Sequence, residues 1–456
     1  MSSRQPTDHT SVTRLMSGLI LCSLLGCATS EQKVSTWTDQ PVSQKADIYG
    51  EDDRKDIYDP SISEALQSLA QSVALVFNVR AIVSRNDASI RLTNWTMNDT
   101  VMRDHGVPLC EDEPFRSEPA PGFCTAFLIS PTLVATAGHC INGHTRCEQM
   151  GFAFDYAKSD PDDIPTQISN ENYYRCAQVL GHVYNPQEDE DQLISREYWY
   201  DWAVIQLDRA VENRPAVALE TKRPEFFSTV HVIGHPSGLP MKVASGRVVT
   251  NDKERYFNTS LDIYKGNSGS PVFNADNGEV HGIVIRGSGG HSFKITEDGC
   301  ARSKQCDEIP SGGECTGNHV LRVDPLQVFV NEDLTFTAQQ GLVEDDEAPG
   351  WRTAYTFEDK GEVRIVTLKL NALAKDTSKL VVNLYKDGTH VALMKHPTRL
   401  GYRWTRSTTE FSGEKLEGEW IVDVVDEGGA DVSIEWAKLQ IGYVRPSMSL
   451  PAMDEE

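Results

Sequence analysis

Apolar runs of strand length, separated by turn residues, dominate the chain from about residue 47 onward. They include Ser72-Val-Ala-Leu-Val-Phe-Asn78, Ala126-Phe-Leu-Ile129, Ala203-Val-Ile-Gln-Leu207, Val230-His-Val-Ile233 and Gly282-Ile-Val-Ile285. Short strands punctuated by Gly, Pro and Asp predict an all-β domain over residues 47–332. The run Gln187 to Asp191 is charged and predicts a solvated loop. An acidic stretch ending in Pro349-Gly350 predicts an interdomain linker within 333–350. Beyond it, Val363-Arg-Ile-Val-Thr-Leu368, Leu380-Val-Val-Asn-Leu-Tyr385 and Trp420-Ile-Val-Asp-Val-Val425 predict a second all-β unit, a sandwich, over 351–445. Lys386-Asp-Gly-Thr389 is a hairpin turn in that unit, because Asp-Gly tolerates positive φ. Residues 446–456 read as an acidic tail, and no internal repeat is visible in the sequence.

The first 46 residues follow a different pattern. Arg4 and Arg14 precede an apolar stretch over 15–25, shorter than the roughly 20 residues a membrane-spanning helix needs. It ends in Leu24-Leu-Gly-Cys27, which resembles a bacterial lipobox. This implies a signal peptide over 1–26, a lipidated Cys27 and attachment to a membrane of the cell envelope. The alternative is an ordinary cleaved signal and a secreted protein. The region before Arg14 is unusually polar, which leaves Met16 as a second candidate start. Residues 27–46 are rich in Ser, Thr, Gln and Lys and read as a flexible tether.

Composition narrows the chemistry. The 456 residues exceed one compact core. A formal net charge of −24 disfavours nucleic acid as a partner, since phosphate binding needs a basic face. Of ten cysteines, eight fall between Cys110 and Cys315 and none follows. An even set confined to one region predicts disulfides and an oxidising compartment. No paired CxxC or HExxH spacing occurs, so no metal site is expected, and no cofactor.

Three segments carry candidate chemistry: Leu133-Val-Ala-Thr-Ala-Gly-His139-Cys140, Asp201-Trp-Ala-Val-Ile-Gln-Leu207 and Gly266-Asn-Ser-Gly-Ser-Pro271. A serine hydroxyl is a poor nucleophile at neutral pH and needs a base to take its proton as it attacks. His139 is the candidate base for Ser268. Asp201 is the candidate carboxylate that sets the imidazole tautomer and stabilises its protonated form. Gly266 supplies a turn, and its N–H with that of Ser268 is the candidate oxyanion hole. The pattern ends in Ser270 rather than Gly, so an esterase elbow is not matched.

Together these segments resemble the trypsin/chymotrypsin peptidase family, in which the order is His, Asp, Ser. The likeness is closest to its bacterial branch, with the glutamyl endopeptidases and HtrA-type proteases. It covers roughly residues 50–330. The resemblance implies a chymotrypsin-like double β-barrel, followed here by the predicted β-sandwich, and a serine endopeptidase acting on protein or peptide substrates through an acyl-enzyme. It also implies a Cys124–Cys140 disulfide. Val232-Ile-Gly-His-Pro-Ser-Gly-Leu239 looks like a loop of the second barrel in HtrA-type enzymes. Gly282-Ile-Val-Ile-Arg-Gly287 looks like the strand that pairs with substrate, making Ile285, Arg286 and Gly287 substrate-binding candidates. Asp262, six residues before Ser268, matches the acid that selects Lys or Arg in trypsin, although Lys265 or Arg286 would offset it. The second reading for Asp262 is a buttress of its own loop. Val284 stands where glutamyl enzymes carry a carboxylate-reading histidine. Asn267 replaces the acid that pairs with a freed N-terminus in trypsin, which weakens the case for that form of activation. Ile48-Tyr-Gly-Glu-Asp-Asp-Arg54 nevertheless resembles the mature start of some bacterial relatives, so processing near Asp47 stays open. The six remaining cysteines of the region allow fifteen pairings. Cys147–Cys176 is favoured because both flank the stretch between His139 and Asp201, with Cys110 bonded to one of Cys300, Cys306 and Cys315.

The later unit resembles the P domain of proprotein convertases, a jelly-roll-like sandwich. Phe411-Ser-Gly-Glu414, Gly418-Glu-Trp-Ile-Val-Asp-Val-Val-Asp426 and Ile434-Glu-Trp-Ala-Lys-Leu439 carry the likeness. Two alternatives to the endopeptidase remain at this point. One is a non-catalytic binding or adhesion protein on the same fold, and the other is an esterase.

Overall fold

The structure, a computed structural model, describes residues 47–141, 145–184, 201–287, 292–310, 315–331, 334–342, 350–374, 380–395, 404–426 and 432–445. The expected signal peptide with Cys27, the expected tether, the charged run 187–191 and the expected acidic tail lie outside them.

The first barrel is built from β1 (Val73–Asn78), β2 (Gly122–Ser130), β3 (Leu133–Thr136), β4 (Met150–Phe154), β5 (Tyr173–Tyr184) and β6 (Asp201–Leu207). It closes in the order β5-β6-β3-β2-β1-β4, with all pairs antiparallel. The second uses β7 (Thr229–Gly234), β8 (Lys242–Thr250), β9 (Tyr256–Thr259), β10 (Pro271–Asn274), β11 (Val280–Arg286) and β12 (Asn318–Arg322). Its order is β7-β10-β11-β12-β9-β8, closed by β7–β8. Matched strand by strand, the two barrels share one topology. This is a duplication that leaves no sequence repeat, because a barrel needs inward apolar positions and turns, not particular residues. Val76, Ala126, Phe152 and Val204 are fully buried in the first core, and Val230, Val272 and Val320 in the second. The architecture is a chymotrypsin-like double barrel with an extra β domain.

That domain stacks two four-stranded sheets. One has the order β13 (Thr335–Leu342), β20 (Val432–Val444), β15 (Glu362–Ala374), β18 (Trp404–Thr408). The other runs β14 (Gly350–Phe357), β19 (Gly418–Asp426), β16 (Leu380–Lys386), β17 (Thr389–Lys395). Leu368, Val382, Trp420 and Leu439 fill the space between them. The expected linker 333–350 is corrected here. Residues 335–342 form β13, in register with β20 from Thr335 opposite Tyr443 to Leu342 opposite Trp436. Its apolar alternation, Phe336, Ala338 and Leu342, is weak and broken at Gln340, which makes it a poor signal beside the acidic run that follows.

Among the described residues four disulfides join Cys110 to Cys300, Cys124 to Cys140, Cys147 to Cys176 and Cys306 to Cys315. Such a set points to an oxidising, extracytoplasmic compartment. No described helix is long and apolar enough to cross a membrane.

Candidate active site

The first barrel delivers a histidine and an acid to one place. β3 ends at Thr136, and the chain turns into the single 3-10 turn Gly138–Cys140. That turn sits so close to the neighbouring strands that a Cβ on Gly138 would lie 2.1 Å from the Val183 carbonyl oxygen and 2.9 Å from the Trp202 nitrogen. Glycine is therefore required there on steric grounds. Asp201 opens β6 beside it. One carboxylate oxygen, Oδ1, accepts the His139 backbone N–H at 2.8 Å, and Oδ2 lies 2.7 Å from ring Nδ1. Both residues are buried, at 8% and 6% exposure. Burial pushes the Asp201 carboxyl up, but the His139 charge and hydrogen bonds, with the Arg286 charge, hold it below its ordinary value. A carboxylate facing Nδ1 makes that nitrogen the proton carrier and leaves Nε2 as the basic one.

The second barrel presents Ser268 from the turn before β10. Gly266 and Gly269, on either side, have φ of +104° and +88°. A Cβ on Gly266 would meet the His235 carbonyl oxygen and the Ser237 nitrogen, each at 2.7 Å. A Cβ on Gly269 would meet the Thr125 carbonyl oxygen at 2.0 Å. Non-glycine residues are thus excluded by conformation and by space. Asn267 is buried and its Oδ1 accepts from Ser270 Oγ at 3.2 Å.

Thr125 ties the turn to the first barrel. Its N–H donates to the Ser268 carbonyl (2.8 Å) and its hydroxyl to the Gly266 carbonyl (3.0 Å). It also accepts from the His235 N–H, and its own carbonyl accepts from Thr136 Oγ1. Thr125 follows Cys124, whose disulfide partner Cys140 directly follows His139. Cys140 Sγ lies 3.8 Å from the Ser268 carbonyl oxygen. Cys124, His139 and Cys140 approach one another closely enough to suggest a metal cluster, but both sulfurs are in the disulfide and offer no thiolate. Thr125 carries no signal in the sequence. A lone threonine inside an apolar strand gives no signal until its partners are known.

The candidate substrate strand runs beside Ser268. In β11, the Val284 carbonyl accepts from the Gly269 N–H (2.8 Å) and the Val284 N–H donates to the Ser270 carbonyl (2.9 Å). Ile285, Arg286 and Gly287 follow, with Ile285 buried and Arg286 half-buried. Asp262 is directed elsewhere. Its Oδ1 accepts the Tyr49 N–H at 2.7 Å and its Oδ2 the Asp53 N–H at 3.0 Å. Burial, against those two hydrogen bonds, pushes its carboxyl up to about 7. Of the two readings for Asp262, selection of Lys or Arg and a buttress of its own loop, this geometry fits the buttress, since both oxygens serve the segment that begins at Asp47. That segment is itself knitted in. The Ile48 N–H donates to the Lys304 carbonyl, and Lys304 pairs with Asp47 at 3.2 Å.

Residues 124–283 match the family of trypsin-like peptidase domains. This span contains His139, Asp201 and Ser268. No curated protein sequence matches the chain. Among solved structures, a Glu endopeptidase is 16% identical, with 62% of this chain and 97% of that chain covered at a TM-score of 0.34. The serine endoprotease from Yersinia pestis is 15% identical, with 60% and 68% covered at 0.32. Human heparin binding protein is 16% identical, with 47% and 86% covered at 0.33.

Proposed function

We propose that this chain, which carries a trypsin-like peptidase domain, is a serine endopeptidase that cleaves protein or peptide substrates through His139, Asp201 and Ser268. The observation that carries the reading is the two-point grip of Asp201 on His139, backbone and ring, beside a Ser268 turn tied to the same barrel by Thr125. In this reading Ser268 Oγ attacks the scissile carbonyl as its proton passes to His139 Nε2. The oxyanion that forms is received by the N–H groups of Gly266 and Ser268. Collapse expels the amine, which takes its proton from His139, and leaves an acyl-enzyme. Water then repeats the sequence and frees Ser268.

Substrate lies along Ile285, Arg286 and Gly287 as an added strand, which needs no cofactor. The catalytic unit occupies about residues 47–332. The sandwich after it is P-domain-like, and Cys27 is a lipid anchor that holds the enzyme at the envelope.

The test is labelling of the purified full chain with a fluorophosphonate, followed by a peptide map, beside Ser268→Ala. Label on Ser268 that disappears in the variant is expected, and Asp201→Asn is expected to lower kcat about 10⁴-fold. A folded chain that stays unlabelled, even after limited proteolysis, would instead mark a binding protein on the same fold.

A further inference from the structure

β5 pairs with β4 only over Tyr173–Arg175 and with β6 from there to Tyr184, with register shifts between Cys176 and Gln178 and between Val179 and Gly181. A bulge, or a strand edge with no neighbouring strand, leaves backbone groups without ladder partners, and these need others. Here the sandwich supplies them. Thr367 Oγ1, on β15, donates to the Leu180 carbonyl at 2.9 Å, and Lys369 Nζ donates to the Val179 carbonyl at 3.0 Å. Ser407 Oγ, on β18, accepts the His182 N–H at 2.7 Å.

The His182 side chain then passes between the two domains. Its Nδ1 is 2.8 Å from the carbonyl oxygen of Thr405, on β18. Its Nε2 is 2.8 Å from the Gly138 carbonyl oxygen and 3.1 Å from that of Ile141. Gly138 and Ile141 bracket the turn that carries His139. One ring therefore spans from the sandwich to that turn, and it is 4% exposed. Arg406, between Thr405 and Ser407, is buried as well. Burial pulls its guanidinium down to about 10, against the favourable charges of Tyr184 and Asp201.

Resting on the triad reading above, we infer that the C-terminal sandwich is part of the catalytic centre. Ser407 on β18 holds the His182 backbone N–H, and the His182 ring, with one N–H to give, donates it from Nε2 to the carbonyls of the His139 turn. His182 is a positioning residue, since it acts through His139. Small displacements of a catalytic base cost rate steeply, about 10²-fold for 1 Å. The consequence therefore falls on the chemical step rather than on substrate binding.

The experiment uses the full chain and measures the rate constant for fluorophosphonate labelling of Ser268, with kcat and KM on a peptide substrate. His182→Phe keeps the ring volume and loses both polar ends. This variant is expected to slow labelling and lower kcat at least tenfold with KM within twofold of wild type. His182→Gln, which keeps a donor, is expected to restore most of the loss relative to His182→Phe. If His182→Phe does not fold, Ser407→Ala, which removes one hydroxyl, carries the test with an expected two- to fivefold slowing. Folded variants that label at the wild-type rate, or that change only KM, overturn the inference alone. A wild-type chain that never labels overturns the triad reading and the inference with it.

Discussion

Asp262 stands at a spacing that predicts one role, while its neighbours assign it another. The two N–H groups it accepts, from Tyr49 and Asp53, belong to a segment more than 200 positions earlier in the chain. No local pattern announces such a partner. Its carboxyl is pushed up to about 7 from 3.8, chiefly by burial. A raised acid stabilises the fold fully below about pH 3.8 and loses that contribution as pH rises through 7. The full loss is on the order of a few kcal/mol. Asp262→Asn is neutral throughout and keeps one acceptor. Between pH 4 and 7 the urea midpoint of wild type is expected to fall relative to that of Asp262→Asn. The cut-site preference, read by mass spectrometry of a digested unstructured protein, is expected to stay the same. A wild-type preference for cutting after Lys or Arg that Asp262→Asn abolishes would contradict this placement.

Between residue and fold lies the turn that carries His139, held from three sides. Asp201 takes its backbone N–H, His182 meets its carbonyls, and the Cys124–Cys140 disulfide fastens it to β2. That disulfide closes a loop of 16 positions, for which chain entropy gives about 3 kcal/mol. The double variant Cys124→Ala/Cys140→Ala is expected to lose about that much stability. Because the bond also sets the spacing of Thr125 and His139, it is expected to lose kcat as well, checked by urea unfolding and steady-state kinetics at a temperature where the variant is folded. What was legible here in sequence was whatever sits in one short segment: Thr-Ala-Gly-His-Cys, Asp-Trp-Ala-Val-Ile, Gly-Asn-Ser-Gly. The helix Met97–His105 shows the opposite case. Its capping box, Thr96 with Asp99, and its left-handed Gly106 are signals in the sequence. They stand in a stretch with little helical apolar periodicity, where only Met97 and Val101 are buried. Thr125, His182 and β13 were not legible because their partners come from distant elements, and polar residues acquire a role only once those elements meet.

For the molecule as a whole, the question is whether the sandwich is a passenger. Ile365 of β15 is 1% exposed and belongs to the same apolar core as Val179, Leu180, Trp202 and Phe329 of the peptidase unit. Trp202 and Phe329 pack edge to face at 6.1 Å between ring centroids. The interface therefore has an apolar centre as well as the hydrogen bonds from Thr367, Lys369 and Ser407 to the β5 backbone. Domains joined only by a tether unfold independently, whereas domains sharing a core lose it together. Thr367 is the sharpest probe, because its hydroxyl donates to Leu180 and also bonds Ser407. Thr367→Val preserves shape and leaves the buried Leu180 carbonyl without that donor, which costs about 1–3 kcal/mol. Calorimetry of the full chain is expected to show the first barrel and the sandwich melting in one transition. Thr367→Val is expected to move that single transition down rather than split it. Two separated transitions in wild type, with only the later-sequence domain sensitive to Thr367→Val, would mean that the sandwich folds for itself. A joint shift would mean that the peptidase fold is complete only with the sandwich in place.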